Sequence, residues 1–319
     1  MILTVVAPDG VPEVRRGDDL AVLVIAALSP VDGDVVLVTS KVVSKAEGRS
    51  VPGADRDAAI EAELAEPGAR VVARRGPTTI ARTRLGLTLA AAGVDASNVE
   101  RGSVLLLPLD PDGSARAMRR AVAERTGANV GVVVTDTAGR AWRTGQTDIA
   151  IGAAGITVLD EHAGRTDGYG NELAVTAPAL ADELAGAAEL AQGKLTGRPF
   201  ALVRGRGDLV LPPGEDGPGA AALIRVEGED LFGYGSREAV VRALAGQPAD
   251  LVPFGAPASA EEMAAAVTRV LGAEAEPVDR GLSVATDPRL APLAFAHGWQ
   301  VEAGSEEGPE KAVIRPVTP

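Results

Sequence analysis

A carboxylate between two hydroxyls follows one of the most apolar runs of the chain. The run 130–135 is apolar up to its last residue, a threonine, and Asp136 and Thr137 come directly after it. Proteins of the α/β type place metal and nucleotide groups beyond the carboxyl ends of their strands, so Asp136 is a candidate metal ligand. Arg140 and Arg143 follow, and their planar guanidinium groups can clamp a phosphate or a carboxylate. The alternative is an aspartate that ends a strand and caps the next turn.

Lysine is rare in this chain, which draws attention to two lysines that lie four residues apart. Lysine occurs only at positions 41, 45, 194 and 311. If a helix follows the apolar run 34–39, Lys41 and Lys45 lie on one face, where their ammonium groups repel each other unless an anion lies between them. A phosphate fits that place, with the hydroxyls of Ser40 and Ser44 beside it. The alternative is a pair of solvated surface lysines.

An aspartate and an asparagine lie three residues apart in a polar turn after the apolar run 85–91. Asp95 and Asn98 can aim a carboxylate and a carboxamide at one centre, and oxygen ligands of this kind suit hard divalent cations. The alternative, which these residues alone favour, is an Asx-turn or a helix cap.

A loop rich in glycine and proline at 211–220 follows a strand-like run at 200–204. Its glycines would let the backbone wrap around a ligand, and Glu215 or Asp216 would add a metal-binding oxygen. Taken alone, the loop is more typical of a plain exposed connection.

The elements that must position these residues alternate between strands and helices. Strands are predicted at 2–6, 34–39, 104–107, 130–135, 200–204 and near 281–285, with a glycine-interrupted β segment at 148–158. Helices are predicted at about 56–66, 113–125, 177–193, 236–246, 259–271 and 288–297. The segment Gly246-Gln-Pro248 is a candidate domain boundary. A length of 319 residues allows about two domains.

The composition excludes several classes of function. With a net charge of -13 and 3% aromatic residues, the chain lacks both the phosphate contacts and the stacking surfaces of a non-specific nucleic-acid binder. Because it has no Cys and 2 His residues, thiolate metal centres and a cysteine nucleophile are excluded, and a histidine zinc site lacks ligands. No signal-like N-terminus and no apolar stretch of about 18 residues is found, so we expect a cytoplasmic protein without a membrane partner.

Six blocks in the same order make the sequence resemble a known family, the coenzyme F420-0:L-glutamate ligases (CofE-like proteins and the N-terminal domain of FbiB proteins). The blocks are Gly10-Val-Pro-Glu13, Ser44-Lys-Ala-Glu-Gly48, Ala92-Gly-Val-Asp-Ala-Ser-Asn98, Asp136-Thr-x-Gly-Arg-x-Trp-Arg-x-Gly-Gln146, Ala181-Asp-Glu-Leu-Ala185 and Glu229-Asp-Leu-Phe232. The resemblance covers residues 1 to about 245. Each block alone is weak, but the ordered set is specific.

The resemblance implies roles for residues across this region. It implies that GTP is contacted by Gly10, Val11, Pro12, Glu13, Ser40, Lys45 and Asn98. It implies that divalent cations, two Mg²⁺ or Mn²⁺ ions, are held by Asp95, Asp136 and Thr137, with Glu215 a further ligand from a loop near 212–219 that closes over the nucleotide.

The family also implies an α+β fold, which we expect for a ligase domain at 1–247, and a homodimer. Residues 248–319 lie outside the resemblance, and we expect a small acidic α/β extension of unknown role there. About 70 residues are too few for the flavin domain that follows in FbiB proteins, so no flavin is expected.

The chemistry that the family implies is the joining of L-glutamate to coenzyme F420-0 at the expense of GTP. A carboxylate is a poor electrophile, so it first accepts the γ-phosphoryl group to give an acyl phosphate. This transfer requires positioning and charge neutralisation, which metal-bound carboxylates, lysine and arginine supply. We expect Asp136, Arg140 and Arg143 to act in catalysis, the arginines by holding an acidic substrate. Two other classes stay open: a nucleotide-dependent kinase or phosphohydrolase, and a non-catalytic binding protein for F420 intermediates.

Overall fold

The computed structural model describes residues 1–52, 55–97, 99, 102–302 and 311–317. The helices are α1 (Leu20–Leu28), α2 (Ser40–Ala46), α3 (Arg56–Leu64), α4 (Pro111–Thr126), α5 (Leu180–Gln192), α6 (Ser236–Ala245), α7 (Ala260–Leu271) and α8 (Leu290–Ala296). The strands are β1 (Thr4–Val6), β2 (Val35–Thr39), β3 (Ser50–Pro52), β4 (Arg70–Arg75), β5 (Thr78–Arg82), β6 (Thr88–Ala90), β7 (Ser103–Leu105), β8 (Gly131–Gly139), β9 (Gln146–Ala154), β10 (Phe200–Arg204), β11 (Ala275–Val278), β12 (Gly281–Ala285), β13 (Trp299–Val301) and β14 (Lys311–Pro316). This mixture of helices with several sheets agrees with the expected α+β class.

The chain forms two compact units. The first comprises Met1–Arg70 and Ile80–Ile224, and the second comprises Val71–Thr79 and Arg225–Pro319. The second unit thus begins before residue 247, and the end of the ligase domain at that residue stays a prediction. Residues before 247 pack within the second unit: the rings of Tyr234 and Phe254 lie 5.3 Å apart, and the amide of Gly235 donates to the carbonyl of Val72 at 2.8 Å.

The first unit is built on a five-stranded sheet of order β1-β10-β2-β8-β9. Strands β2 and β8 are parallel, and the other neighbouring pairs are antiparallel. Successive residues of β2 and β8 pack alternately into two separate hydrophobic cores, one on each face of the sheet. A strand that is covered on both faces is apolar throughout, which explains why its sequence does not alternate.

Strand β8 continues past its predicted end at 135 as far as Gly139. It does so because β9 returns antiparallel to it and pairs with it up to Gly139 and Gln146. The register shifts after Val134, where β9 contains one extra residue, a bulge of the kind often found next to functional sites. Asp136 and Thr137 consequently lie within the strand, on opposite faces of the sheet, and not in a loop beyond it.

The second unit contains a four-stranded antiparallel sheet of order β11-β12-β14-β13. Helix α7 begins as the sequence predicts, because the Ser259 hydroxyl accepts from the amide of Glu262 while the Glu262 carboxylate accepts from the amide of Ser259. Met263 and Val267 of this helix pack on the core of the sheet. Among the described residues, no helix is both long and apolar enough to span a membrane.

Candidate active site at the edge of the main sheet

Two neighbouring strands of the main sheet deliver the first polar residues of the site. Strands β2 and β8 are parallel, with Thr39 opposite Thr135, so the residues that follow lie side by side. Helix α2 begins directly after β2, and the Ser40 hydroxyl at its start donates to Oδ1 of Asp136 at 3.1 Å. A helix thus follows the run 34–39, which is the condition under which Lys41 and Lys45 lie on one face.

Asp136 lies on the sheet face that α2 covers. Burial raises the pKa of this carboxyl, and the charge of Asp148 adds to the effect. The amide of Thr137, the Ser40 hydroxyl and the ammonium group of Lys41 each favour the ionised form, but together they do not offset burial. The result is a carboxylate that is costly to ionise without a cation, as expected of a group that binds metal.

Lys41 extends from α2 to the segment that carries Asp95. Its ammonium group pairs with the Asp95 carboxylate and donates to the Ser97 hydroxyl at 2.7 Å. Burial lowers the pKa of Lys41, as do the charges of Lys194 and Lys45, whereas Asp136 and Asp148 oppose the shift. The charges of Lys45, Asp136, Asp148 and Lys194 thus all act on the ammonium group of Lys41.

A second set of charges lies on the opposite face of the sheet edge. Thr137 of β8 pairs with Asp148 of β9, and its hydroxyl donates to Oδ1 of Asp148 at 2.7 Å. Lys194, just after α5, places its Nζ 2.5 Å from the Thr137 hydroxyl and 2.9 Å from both Oδ1 of Asp148 and Oε1 of Glu189. Burial opposes the charge of Lys194, but the two carboxylates outweigh burial and raise its pKa.

The N-terminal segment contributes a third contact. Lys45, one helical turn after Lys41, lies 2.5 Å from Oε1 of Glu13. Glu13 is exposed and belongs to the segment from Gly10, where φ is +81° and a residue other than glycine would be strained. The two lysines are thus not a solvated pair, since each is held by a different carboxylate.

The structure brings together seven of the residues that the sequence singled out. We refer to them and their new partners as the edge cluster: Glu13, Ser40, Lys41, Lys45, Asp95, Asp136, Thr137, Asp148, Glu189 and Lys194. Asn98 lies outside the described residues. Arg140 and Arg143 lie in the exposed turn between β8 and β9, close along the ladder to the Thr137–Asp148 pair, and Nη2 of Arg140 donates to the carbonyl of Thr144 at 2.9 Å.

Glu215 is not part of the edge cluster, contrary to the expectation for this residue. Its carbonyl accepts from Nη1 of Arg119 at 2.8 Å, and Nε of the same arginine donates to the carbonyl of Val130 at 3.0 Å. Val130 precedes β8, whereas Asp136 lies near its other end, and a strand rises by about 3.3 Å per residue, so the two lie about 20 Å apart. Arg119 therefore fixes the loop 211–217 at the opposite edge of the sheet.

Asp148, Glu189 and Lys194 of the edge cluster were missed by the sequence reasoning. A usable signal existed for Lys194, because it is one of only four lysines in the chain. No local pattern marks Asp148 or Glu189. They reach the site only through the pairing of β9 with β8 and the return of α5.

The edge cluster offers oxygen donors to a divalent cation, and the carboxylates of Asp95 and Asp136 suit Mg²⁺ or Mn²⁺. Within the described part of the chain, no three His, Cys, Asp or Glu side chains are grouped so as to hold a metal ion. Two carboxylates of the edge cluster already have a charged partner, because Lys41 pairs with Asp95 and Lys194 pairs with Asp148. Asp136, which receives its hydrogen bonds from the Ser40 hydroxyl and the Thr137 amide, is the carboxylate best placed to receive a cation.

Comparison with known proteins agrees with the motifs. Residues 10–205 match the family model described as F420-0:Gamma-glutamyl ligase. The chain is 38% identical over 249 residues to the Coenzyme F420:L-glutamate ligase of Archaeoglobus fulgidus, which covers 74% of this chain and 91% of that protein. It is 42% identical over 241 residues to the protein of the same name from Methanopyrus kandleri, covering 69% of this chain and 93% of that one. The chain therefore belongs to the F420-0:gamma-glutamyl ligase family.

Proposed function

We propose that the protein joins L-glutamate to coenzyme F420-0 in F420 biosynthesis, with GTP as phosphoryl donor and Mg²⁺ or Mn²⁺ as cofactor. Its family is one of ligases, and its relatives bear the name Coenzyme F420:L-glutamate ligase. The observation that carries the proposal for this chain is the edge cluster, which collects carboxylates, hydroxyls and three of the four lysines at the end of β2 and β8.

The reaction requires two displacements. An oxygen of the F420-0 carboxylate attacks the γ-phosphorus of GTP, the bond to GDP breaks, and an acyl phosphate forms. The glutamate amine then attacks the acyl carbon, the bond to phosphate breaks, and the amine loses a proton. The first displacement brings a carboxylate towards a polyphosphate, so the site must offset negative charge. When bound, a divalent cation supplies that charge.

Residues on both faces of the sheet can offset the negative charge of the carboxylate and the polyphosphate. Asp95 and Asp136 lie on the α2 side, and we assign to them the divalent cation and through it the phosphates. Thr137, on the other side, would hold a cation only if Lys194 released its hydroxyl. Lys45 is held at the N-terminal segment by Glu13, and we assign it a phosphate of the nucleotide.

The arginines of the β8–β9 turn suit the acidic substrate. Arg140 and Arg143 are exposed, and a guanidinium fork matches a carboxylate or phosphate in shape and charge. The turn continues the two strands that carry Thr137 and Asp148, so a substrate held there lies next to the edge cluster. We therefore assign the arginines to substrate binding. The nucleotide contacts of Gly10 to Glu13, Ser40 and Asn98 remain as the resemblance implies them.

The test is mass spectrometry of purified protein incubated with F420-0, GTP, Mn²⁺ or Mg²⁺ and L-glutamate, with each component omitted in turn. A product heavier by one or more glutamyl units that depends on GTP and metal supports the proposal. Consumption of GTP without such a product would instead indicate a phosphohydrolase. Binding of F420-0 with neither change would indicate a binding protein.

Two variants make the test specific to the site. Asp136→Asn removes one negative charge from the edge cluster and should lower product formation by roughly 10²–10³-fold. Asp208→Asn makes the same chemical change at an exposed residue that pairs with Arg206, and it should leave product formation intact. The homodimer implied by the resemblance stays a prediction, which a measurement of molecular mass in solution tests.

A further inference from the structure

The ammonium group of Lys194 sits in a position that a metal ion would suit. Three oxygens surround it, from the Thr137 hydroxyl at 2.5 Å and from Asp148 and Glu189 at 2.9 Å each. Two of these oxygens are carboxylate oxygens, and hard divalent cations choose such donors. The ammonium group of this half-exposed side chain therefore lies against oxygen donors of the kind that a cation site uses.

The burial of Asp148 explains why this carboxylate requires a cation beside it. The side chain of Asp148 is only 6% exposed, and an ionised carboxylate that is taken out of water must be paired. Its other close partner is the Thr137 hydroxyl, which carries no charge. Asp148 and Glu189 together carry two negative charges against the single positive charge of Lys194, so without the lysine two uncompensated charges would remain.

Lys194 and a second divalent ion would compete for the same oxygen. Thr137 is one of the residues expected to bind metal, but its hydroxyl is already in contact with Lys194 and hydrogen-bonded to Asp148. Asp136, on the other face, receives its hydrogen bonds from a hydroxyl and a backbone amide. Only the Asp136 side thus leaves a carboxylate open for an ion.

We propose that Lys194 supplies one positive charge of the site in place of a divalent cation, so that the chain binds one divalent ion beside Asp136, and a second only when an uncharged side chain replaces Lys194. The inference rests on the proposed function for its metal dependence. It concerns the number of ions and not the reaction.

The experiment counts Mn²⁺ ions bound by the full chain, by electron paramagnetic resonance titration of free Mn²⁺, with and without GDP. We expect one ion per chain in the wild type without nucleotide. Lys194→Gln should raise the number by one in either condition, because Asp148 and Glu189 then accept an ion. Lys194→Arg, which keeps the charge, should stay at the wild-type number, as should Lys311→Gln, which changes a lysine of the second unit.

Two results would overturn the inference. Equal numbers in wild type and Lys194→Gln, both of two, would show that Lys194 moves aside when metal binds. Equal numbers of one would show that Asp148 and Glu189 do not form a site without the lysine. If Lys194→Gln does not fold, the double variant Asp148→Asn with Lys194→Gln removes the charges as a pair, and the inference then requires one ion in both the wild type and this variant.

This count is independent of the ligation assay. It needs neither F420-0 nor glutamate, so a protein without ligase activity that still shows one ion in the wild type and two in Lys194→Gln would contradict the proposed function and leave the inference standing. An active ligase that binds two ions in the wild type would support the proposed function and contradict the inference.

Discussion

Replacing Asp136 by asparagine should make the metal-free protein more stable while it destroys activity. Burial raises the pKa of Asp136, so the folded protein ionises this carboxyl at a free-energy cost. The asparagine side chain has nearly the same shape, and its oxygen can still accept from the Ser40 hydroxyl and the Thr137 amide. The variant therefore loses the cost of the charge and keeps the hydrogen bonds.

The expected gain follows from the cost of a poorly compensated buried polar group, about 1–3 kcal/mol. In a unit of the size of the first unit, each kcal/mol of unfolding free energy shifts the melting temperature by about 2–4 °C. The melting temperature of the variant should therefore rise by about 2–12 °C. The pH dependence has a definite sign. A carboxyl whose pKa is raised on folding contributes stability below its ordinary pKa of 3.8, and this stability is lost as pH rises through the folded-state pKa. The stability advantage of the variant should therefore grow as pH rises from 3.8 towards the folded-state pKa of Asp136, and it should then level off.

The assay is thermal unfolding in EDTA at several pH values, together with the ligation assay. Activity should fall by roughly 10²–10³-fold, the usual effect of losing one charge-stabilising group at a reacting centre. Asp208→Asn is the matched control with the opposite sign, because the hydrogen bond from Arg206 lowers the pKa of Asp208, so this variant should be slightly destabilised. A melting temperature for Asp136→Asn that is unchanged, lowered, or higher by the same amount at every pH would refute the reasoning.

Three further predictions concern residues outside the edge cluster. Glu215→Ala should leave the ligation rate within about twofold of the wild-type rate, because the loop that carries Glu215 lies at the opposite edge of the sheet. A large loss of rate would contradict this and support Glu215 as a metal ligand. Arg119→Met should cost about 3–5 kcal/mol in chemical denaturation, since this buried guanidinium bonds Val130, the loop 211–217 and the Asp216 carboxylate. Ser259→Ala should cost about 1 kcal/mol in the unfolding of the second unit, because it removes the α7 cap, and an unchanged transition would contradict that role.

The parts of the fold that the sequence predicts well are those with local signals. The start of α7 is one, because the capping residues Ser259 and Glu262 lie three positions apart in the chain. Helix α4 is another, expected at about 113–125 and found at Pro111–Thr126 with an Asp110 cap. By contrast, α1 was not predicted, since its apolar run of Val, Ile and Leu has no polar face to mark a helix.

Residues of the candidate site could be singled out from the sequence where a motif of polar residues follows an apolar run. Ser40, Lys45 and Asp136 are examples. The site was not predictable where distant segments meet. Lys194 reaches Thr137 across 57 positions of the chain, and Asp148 depends on the register of a bulged strand pair. The place of Glu215 relative to the sheet was not predictable for the same reason, because a glycine-rich loop with an acidic residue does not reveal which edge of a sheet it covers.

The most direct test of the acyl phosphate is the fate of the carboxylate oxygen. F420-0 labelled with ¹⁸O in the acceptor carboxylate is incubated with GTP, Mn²⁺, L-glutamate and the protein, and the released phosphate is analysed by mass spectrometry. Transfer through an acyl phosphate predicts one ¹⁸O atom in each phosphate released during ligation. Phosphate without label, formed together with the glutamyl product, would contradict the proposed reaction.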